Sequence, residues 1–308
     1  MKTYGLIGYP VKHSLSARMH NAAFKELGIN AEYRLLEIKP EELENFLLKN
    51  IPVKDVEGKQ IFSQEIIGFN ITIPHKVRAK EIIYEHYPEV NKAGIGMYVY
   101  ITGAINTVIR KDGKMYCLNT DVTGFRQSLQ KDLKFNPKDK NVLLIGCGGA
   151  GRAVVAALAW RTSPRKIYIY EPNQGAFNSA KEHFSSFNVT NCTFEFISQE
   201  KQLPVVLASS DLLINASPVG MKEGDPSVVK KDWLHKDLSV YDLVYNRESQ
   251  LLKDAKLLGL KNFGGLGMLL YQGVAAFEFW TTSWTKKNAP VEVMRVALEE
   301  GLKECRKK

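Results

Sequence analysis

The segment that most constrains this chain is Val142–Gly151, VLLIGCGGAG. An apolar run of strand character meets Gly146, Gly148 and Gly151 in a GxGxxG spacing, and an alanine-rich helical stretch follows at once. Strand, tight turn and helix in that order are what backbone recognition of a pyrophosphate requires. Gly146 permits the turn, Gly148 lets the phosphates approach the backbone, and Gly151 lets helix and strand pack closely. Gly149 and Ala150 then stand at the helix start, where unused N–H groups and the positive dipole end face an anion. The next predicted strand, Lys166–Glu171, ends in an acid 20 residues after Gly151, where a carboxylate accepts hydrogen bonds from an adenosine ribose. A glycine turn that binds nothing is the plain alternative, and the strand–turn–helix context weighs against it.

Around this motif the chain alternates strand and helix. Strands are predicted at Tyr4–Gly8, Glu32–Ile38, Ile66–Ile73, Asn141–Gly146, Lys166–Glu171, Thr193–Ser198, Asp211–Ala216 and Val240–Val244. Helices are predicted at Ser16–Leu27, Pro40–Lys49, from Pro74, at Asp121–Lys131 and at Gly149–Arg161. Asp112-Gly113, between Asn106–Arg110 and Lys114–Leu118, is a strong hairpin signal. Alternation of this kind implies parallel sheets and an α/β fold. With 308 residues, two domains are expected. Two long helices, from about Leu266 and Pro290, follow the last strand and are expected to return to the first domain.

The net charge of +9 suits an anionic substrate as well as nucleic acid. The lysines are scattered without interleaved aromatics, so no nucleic-acid partner is expected. The basic cluster Lys303–Lys308 reads as a solvated helix end. No apolar run approaches the length of a membrane span. The N-terminus is too short in apolar residues for a signal peptide. Four separated cysteines, Cys117, Cys147, Cys192 and Cys305, form no CxxC, so neither structural zinc nor a disulfide framework is expected, and a reducing cytoplasm is the natural compartment.

Several polar clusters fit a plain core poorly. His13-Ser14-Leu15-Ser16 lies between the first strand and helix. Ser16 as a helix N-cap would explain that residue but not Ser14. In Asn70-Ile71-Thr72-Ile73-Pro74-His75-Lys76, Asn70 and Thr72 share a strand face. Lys76 sits in a first helical turn, where a cation opposes the dipole. Gly103-Ala104-Ile105-Asn106-Thr107 precedes the hairpin, and Asn119-Thr120-Asp121-Val122-Thr123-Gly124 ends it. Asp121 alone could be an ordinary carboxylate at a helix N-terminus.

In this order the segments resemble the shikimate dehydrogenase family. The resemblance runs over nearly the whole chain and continues through Asn215-Ala216-Ser217, Tyr241–Tyr245 and Gly264–Gln272. It implies an open α/β substrate-binding domain, residues 1–120 with 265–308. A Rossmann NAD(P)-binding domain, residues 121–264, would complete the chain, with a deep cleft between the two. It also implies reversible reduction of 3-dehydroshikimate to shikimate, serving aromatic amino-acid biosynthesis. Lys76 and Asp121 would be the catalytic pair. Ser14 and Ser16 would bind the substrate carboxylate, with Tyr245 bordering that pocket. Thr72, Asn106 and Gln272, with the catalytic pair, would hold the ring hydroxyls and carbonyl. Leu243 and Gly265 would lie near the nicotinamide and Ser217 near the cofactor ribose. The partner is a small molecule, and the assembly a monomer or homodimer.

Some residues depart from the family pattern. Ala17 stands where proline is frequent, Asn246-Arg247-Glu248-Ser249 replaces an Asn-Pro loop with a threonine, and Gly94–Thr102 is unusually aromatic. Glu171 occupies the place of the Asn-Arg-Thr sequence common in NADP users. A carboxylate there repels a 2′-phosphate, so NAD is expected in preference to NADP, unless Arg152, Arg161 or Arg165 folds toward it. This points toward the quinate/shikimate branch, whose substrate adds a tertiary hydroxyl beside the carboxylate. A nucleotide-sensing module without catalysis would not need both Lys76 and Asp121. Another Rossmann enzyme would leave Ser14, Thr72, Asn106 and Gln272 unexplained.

Overall fold

The computed structural model describes residues 1–88, 96–160, 162–185 and 192–305. Arg161, the start of the Gly94–Thr102 segment and the last three residues of the basic C-terminal run lie outside the described residues. The chain divides into two compact units, Met1–Thr120 with Leu270–Lys308, and Asp121–Leu269. The return to the first unit falls at Leu270 rather than Gly265, because the intervening glycines are pinned within the second unit. A Cβ on Gly265 would overlap the Leu243 carbonyl, and one on Gly267 would overlap the Asp132 and Ser128 side chains. No helix of the described residues is long and apolar enough to cross a membrane.

The first unit carries strands β1 (Lys2–Gly8), β2 (Ala31–Glu37), β3 (Pro52–Lys54), β4 (Gln60–Phe62), β5 (Ile66–Ile71), β6 (Thr107–Lys111) and β7 (Lys114–Leu118). Its main sheet runs β2-β1-β5-β6-β7. β2, β1 and β5 are parallel, and β6 and β7 are antiparallel to their neighbours. The β6–β7 turn has positive φ at Asp112 (52°) and Gly113 (70°), which a two-residue type I′ hairpin requires at both positions. All of β1 after Lys2 is buried, as expected of a strand covered on both faces. Ile7, Leu36, Phe46, Phe69, Ile82 and Val108 form one core. On the opposite face of β1, Tyr4 meets Phe24 and Trp280 at centroid distances of 5.2 Å, and Trp280 Nε1 donates to the Val108 carbonyl. Each fully buried large side chain of this kind contributes roughly 1.5–3 kcal/mol. The C-terminal helix Val291–Cys305 packs on Ser16–Glu26, where Arg18 pairs with Glu304.

Two local expectations are corrected, and one hairpin is added. Pro40–Lys49 is a 3₁₀ turn, Pro40–Glu42, running into a helix, Leu43–Leu48. The Glu42 carboxylate folds back to accept the Lys39 N–H, which tightens the first turn. The third helix begins at Lys76, not Pro74, and spans Lys76–His86. β3 and β4 form a separate small hairpin whose strands are too short to show alternation.

The second unit has β8 (Asn141–Ile145), β9 (Lys166–Tyr170), β10 (Thr193–Ile197), β11 (Leu212–Asn215), β12 (Ser239–Asp242) and β13 (Asn262–Gly264). They pair in parallel in the order β10-β9-β8-β11-β12-β13. Numbered from β8, this is the doubly wound dinucleotide-binding order, which reverses direction between its first and fourth strands. Leu143, Ile145, Leu213 and Val240 fill one face against Leu251 and Leu252 of the helix Gln250–Leu257.

Candidate functional site

In open α/β sheets, ligands bind beyond the carboxyl ends of strands where strand order reverses. Each unit has such a place. In the first it lies at the ends of β1 and β5, since the chain leaves β1 for β2 on one side and returns to β5 on the other. The two end loops are joined through backbone: Thr72 N donates to Ile7 O at 2.9 Å and Tyr9 N to Ile73 O at 3.0 Å. Gly8 is without a side chain because a Cβ there would strike the Thr72 methyl and stand 2.8 Å from Val11.

These loops carry the polar residues singled out by sequence. Ser14 Oγ donates to Ser16 Oγ at 3.1 Å and accepts the Ser16 N–H at 3.2 Å. Ser16 is buried and is the first helical residue, and the N-cap position is Leu15. The N-cap explanation of Ser16 therefore fails; Ser14 provides the local acceptor. Thr72 and Lys76 are half-buried one turn apart, and the Lys76 carbonyl accepts Ile105 N at 3.1 Å. That bond brings the Asn106 strand end beside the helix start. Gln272 is buried on the part of the helix Leu266–Thr285 that belongs to the same unit.

Asn106 and Asn70 form a buried amide network that sequence reading only half anticipated. Asn106 Oδ1 accepts the Thr120 N–H at 2.7 Å, and its Nδ2 donates to Thr120 Oγ1 at 3.0 Å. Asn70 Nδ2 donates to the Asn106 carbonyl and to Thr107 Oγ1, while Asn70 Oδ1 accepts from Tyr33 Oη at 2.8 Å. Asn70 is thus a brace, and Tyr33, Thr107 and Thr120 are supporting residues that were missed. Asp121 follows Thr120 as the second residue of the helix Thr120–Lys131 and belongs to the second unit, whereas Lys76 belongs to the first.

In the second unit, one transverse row crosses the carboxyl edge of the sheet. Tyr170 registers with Ile145, Ile145 with Asn215, Asn215 with Asp242, and Asp242 with Gly264. The next residues along each strand are Glu171, Gly146, Ala216, Leu243 and Gly265. Ser217 follows Ala216, and Tyr245 lies two residues past Leu243. Sheet register thus brings together residues that the resemblance assigns to the cofactor and that lie scattered over 120 positions of sequence, from 146 to 265. Gly146 takes φ +89°, and a Cβ on it would stand 2.6 Å from Ser217 N. A Cβ on Gly151 would overlap the Gly146 carbonyl oxygen. Gly148 is different: it is exposed, and a Cβ there meets nothing within 4 Å.

That open cradle suits a dinucleotide. Gly148 is the N-cap of the helix Gly149–Ala159 and gives it no side-chain cap, so the first-turn N–H groups are presented as an anion site. Glu171 spans the loop: Oε2 accepts Cys147 N at 2.7 Å and Oε1 accepts Asn173 N at 2.9 Å. A carboxylate has about four lone-pair directions, so acceptors remain for ribose hydroxyls. Arg152 donates to Ser179 Oγ at 2.9 Å. Arg165 precedes β9, at the end opposite Glu171. The Cys147 thiol in the loop is pushed up to about 12 by burial and stays protonated.

Known proteins are similar to this chain over nearly its whole length. A model described as the shikimate dehydrogenase substrate binding domain matches residues 6–108. Another, described as the shikimate 5'-dehydrogenase C-terminal domain, matches residues 265–281. A shikimate dehydrogenase (NADP(+)) of Methanopyrus kandleri is 38% identical over 302 residues, covering 97% of this chain and 95% of that protein. A crystal structure of a shikimate dehydrogenase in complex with NADP+ superposes with a TM-score of 0.77 at 34% identity, over 98% of this chain and 96% of the other. A Listeria monocytogenes shikimate 5-dehydrogenase in complex with shikimate and NAD gives 0.76 at 28% identity, over 97% and 96%.

Proposed function

The chain belongs to the shikimate dehydrogenase family, and we propose that it catalyses the reversible, NAD(P)-dependent reduction of 3-dehydroshikimate to shikimate. The observation that carries this reading is the pairing, within one chain, of an open glycine cradle with a second loop cluster rich in hydroxyl groups. The first suits a dinucleotide and the second a polyhydroxy acid. The bound dinucleotide supplies the hydride.

The remaining work belongs to side chains. Ser14 and Ser16, already bonded to one another, present hydroxyls to the substrate carboxylate. Thr72, Asn106 and Gln272 hold the ring hydroxyls, and Tyr245 borders the carboxylate. Lys76, as ammonium, polarises the carbonyl and gives its oxygen a proton, and Asp121 keeps that amine charged. In the oxidative direction the lysine takes the proton back. Gly146, Gly148, Gly149, Ala150 and Gly151 receive the pyrophosphate, Glu171 the adenosine ribose, Ser217 the cofactor's ribose side, and Leu243 and Gly265 the nicotinamide.

Glu171 supports NAD in preference to NADP, although the similar proteins from Methanopyrus kandleri, Methanocaldococcus jannaschii and Aquifex aeolicus are all named for NADP(+). Arg165 stands at the other end of β9, and Arg152 is engaged with Ser179. The enzyme would act on small molecules as a monomer or homodimer in a reducing cytoplasm, without nucleic acid or membrane. Absorbance of reduced nicotinamide, followed with shikimate or quinate and with NAD or NADP, tests the proposal. Turnover of shikimate with NAD is expected. A quinate preference moves the enzyme to the quinate branch, and NADP-only turnover overturns the reading of Glu171. Dinucleotide binding without turnover of either acid refutes the activity.

A further inference from the structure

The transverse row at the carboxyl edge of the second sheet contains two buried polar residues, and they are neighbours. Asn215 ends β11, Asp242 ends β12, and they face one another in register. Both are essentially inaccessible to solvent, at 1% and 0% exposure. Asn215 Nδ2 donates to Asp242 Oδ1 at 2.9 Å and to the Val219 carbonyl at 3.0 Å. Its Oδ1 accepts the Ser217 N–H at 3.0 Å and the Ser217 hydroxyl at 2.6 Å. Asp242 Oδ1 also accepts the Val244 N–H at 3.0 Å, and Oδ2 accepts the Ser249 hydroxyl. Ser249 in turn caps the helix Gln250–Leu257 by accepting Leu252 N at 3.2 Å.

A buried carboxylate is costly unless its lone pairs are met. Here three donors from separate segments meet it: the Asn215 side chain at the end of β11, the Val244 N–H in the loop after β12, and the Ser249 hydroxyl that caps the following helix. Generic packing of two strand ends needs no charge. Apolar side chains at 215 and 242 would fill the same space, as Ile145 does on the neighbouring strand. The charge is explained by what it aligns: the Ser217 loop on one side and the Leu243–Tyr245 turn on the other. Gly265 is held by the same turn, through its N–H to the Val244 carbonyl at 3.1 Å.

From this we infer that Asp242, acting through Asn215 and Ser249, is a positioning residue for the cofactor half-site, fixing the Ser217 and Leu243 loops at the spacing a bound dinucleotide requires. This rests on the dinucleotide-binding part of the proposed function and not on the identity of the cyclic acid. Asp242→Asn keeps the volume but replaces one acceptor oxygen by an N–H donor. That donor faces the Ser249 hydroxyl and reverses a bond the helix cap depends on.

The test is a fluorescence titration of reduced NAD and reduced NADP into the whole wild-type chain, Asp242→Asn and Ser249→Ala, with Michaelis constants measured alongside. Loss of a charge-assisted hydrogen bond predicts dinucleotide binding about tenfold weaker in Asp242→Asn. A smaller change in the same direction, roughly threefold, is expected in Ser249→Ala. The KM for shikimate should change less than the dinucleotide affinity, since Asp242 holds the Ser217 loop through Asn215 and the Leu243 loop directly, whereas among the residues assigned to the cyclic acid only Tyr245 follows the turn it holds. Unchanged dinucleotide affinity in folded variants, or equal loss for both substrates, overturns the inference. If Asp242→Asn does not fold, Ser249→Ala decides alone. If the wild type reduces no cyclic acid yet binds the dinucleotide, the substrate assignment falls while the binding titration still decides this proposal.

Discussion

His20 gives the first unit a built-in sensitivity to acid. Its ring is fully buried, and neither nitrogen has a hydrogen-bond partner among the described residues. It stacks on Tyr33 at 4.4 Å and lies 6.3 Å from Phe277 and 5.4 Å from Trp280. None of these neighbours offers a negative charge, and burial lowers the imidazole from 6.5 to about 3. The folded unit therefore holds His20 neutral at every pH where it is stable, whereas the unfolded chain takes up a proton below about 6.5. Stability from this residue is complete above that pH and is lost progressively as pH falls toward 3. One extra proton on the unfolded state costs roughly 1 kcal/mol at pH 5.5 and roughly 3 kcal/mol at pH 4.5. Urea unfolding followed by tryptophan fluorescence, with Trp280 adjacent to the site, should show wild-type stability falling faster with acid than that of His20→Gln. The glutamine removes the titration while keeping a polar group of similar size. Parallel curves for the two proteins between pH 8 and pH 4.5 would refute the assignment.

Four further outcomes follow from the sites. Gly151→Ala should lose about 1–3 kcal/mol in urea, since its methyl meets backbone that cannot rotate away. Gly148→Ala should hold its stability within about 0.5 kcal/mol yet bind the dinucleotide far more weakly, and the opposite pattern would disprove the cradle. Lys76→Ala should lower kcat by ~10²–10⁴-fold with the affinity for reduced NAD unchanged; near-normal turnover in stopped or continuous assays removes Lys76 from the chemistry. Glu171→Gln should raise the ratio of NADP to NAD kcat/KM by about tenfold, and a fixed ratio would show that the carboxylate does not select the cofactor.

Much of the candidate cofactor loop's geometry was legible because its information is local. Gly146, Gly148 and Gly151 fall within six residues of one another; backbone clash forces glycine at 146 and 151, and the open space around Gly148 leaves the loop approachable. Asp112-Gly113 announced its hairpin for the same reason. The substrate-side residues were legible only by resemblance, since nothing in the spacing of Ser14, Thr72 and Asn106 says that β1, β5 and β6 lie side by side. Ser16 shows the limit of local rules: its position suits a cap, but Leu15 occupies that place and Ser14 supplies the acceptor.

The clamp was the least legible feature, although one signal was present. Asp242 stands inside Val240–Val244, an apolar strand where an acid must be paired. Its partner is 27 residues away, and only sheet register brings the two together. Sequence periodicity can show that an acid is buried, whereas register decides which donors meet it. The pattern across the row then separates two kinds of constraint. Where the backbone itself approaches a neighbour or a ligand, at Gly146 and Gly265, the solution is the absence of a side chain. Where two loops are held at a set distance, at Asn215 and Asp242, the solution is a carboxylate that accepts from three donors. Substitutions at the first kind of position act by overlap and lower stability. At the second kind they leave the sheet intact and alter the spacing of the loops, so affinity should respond before stability does.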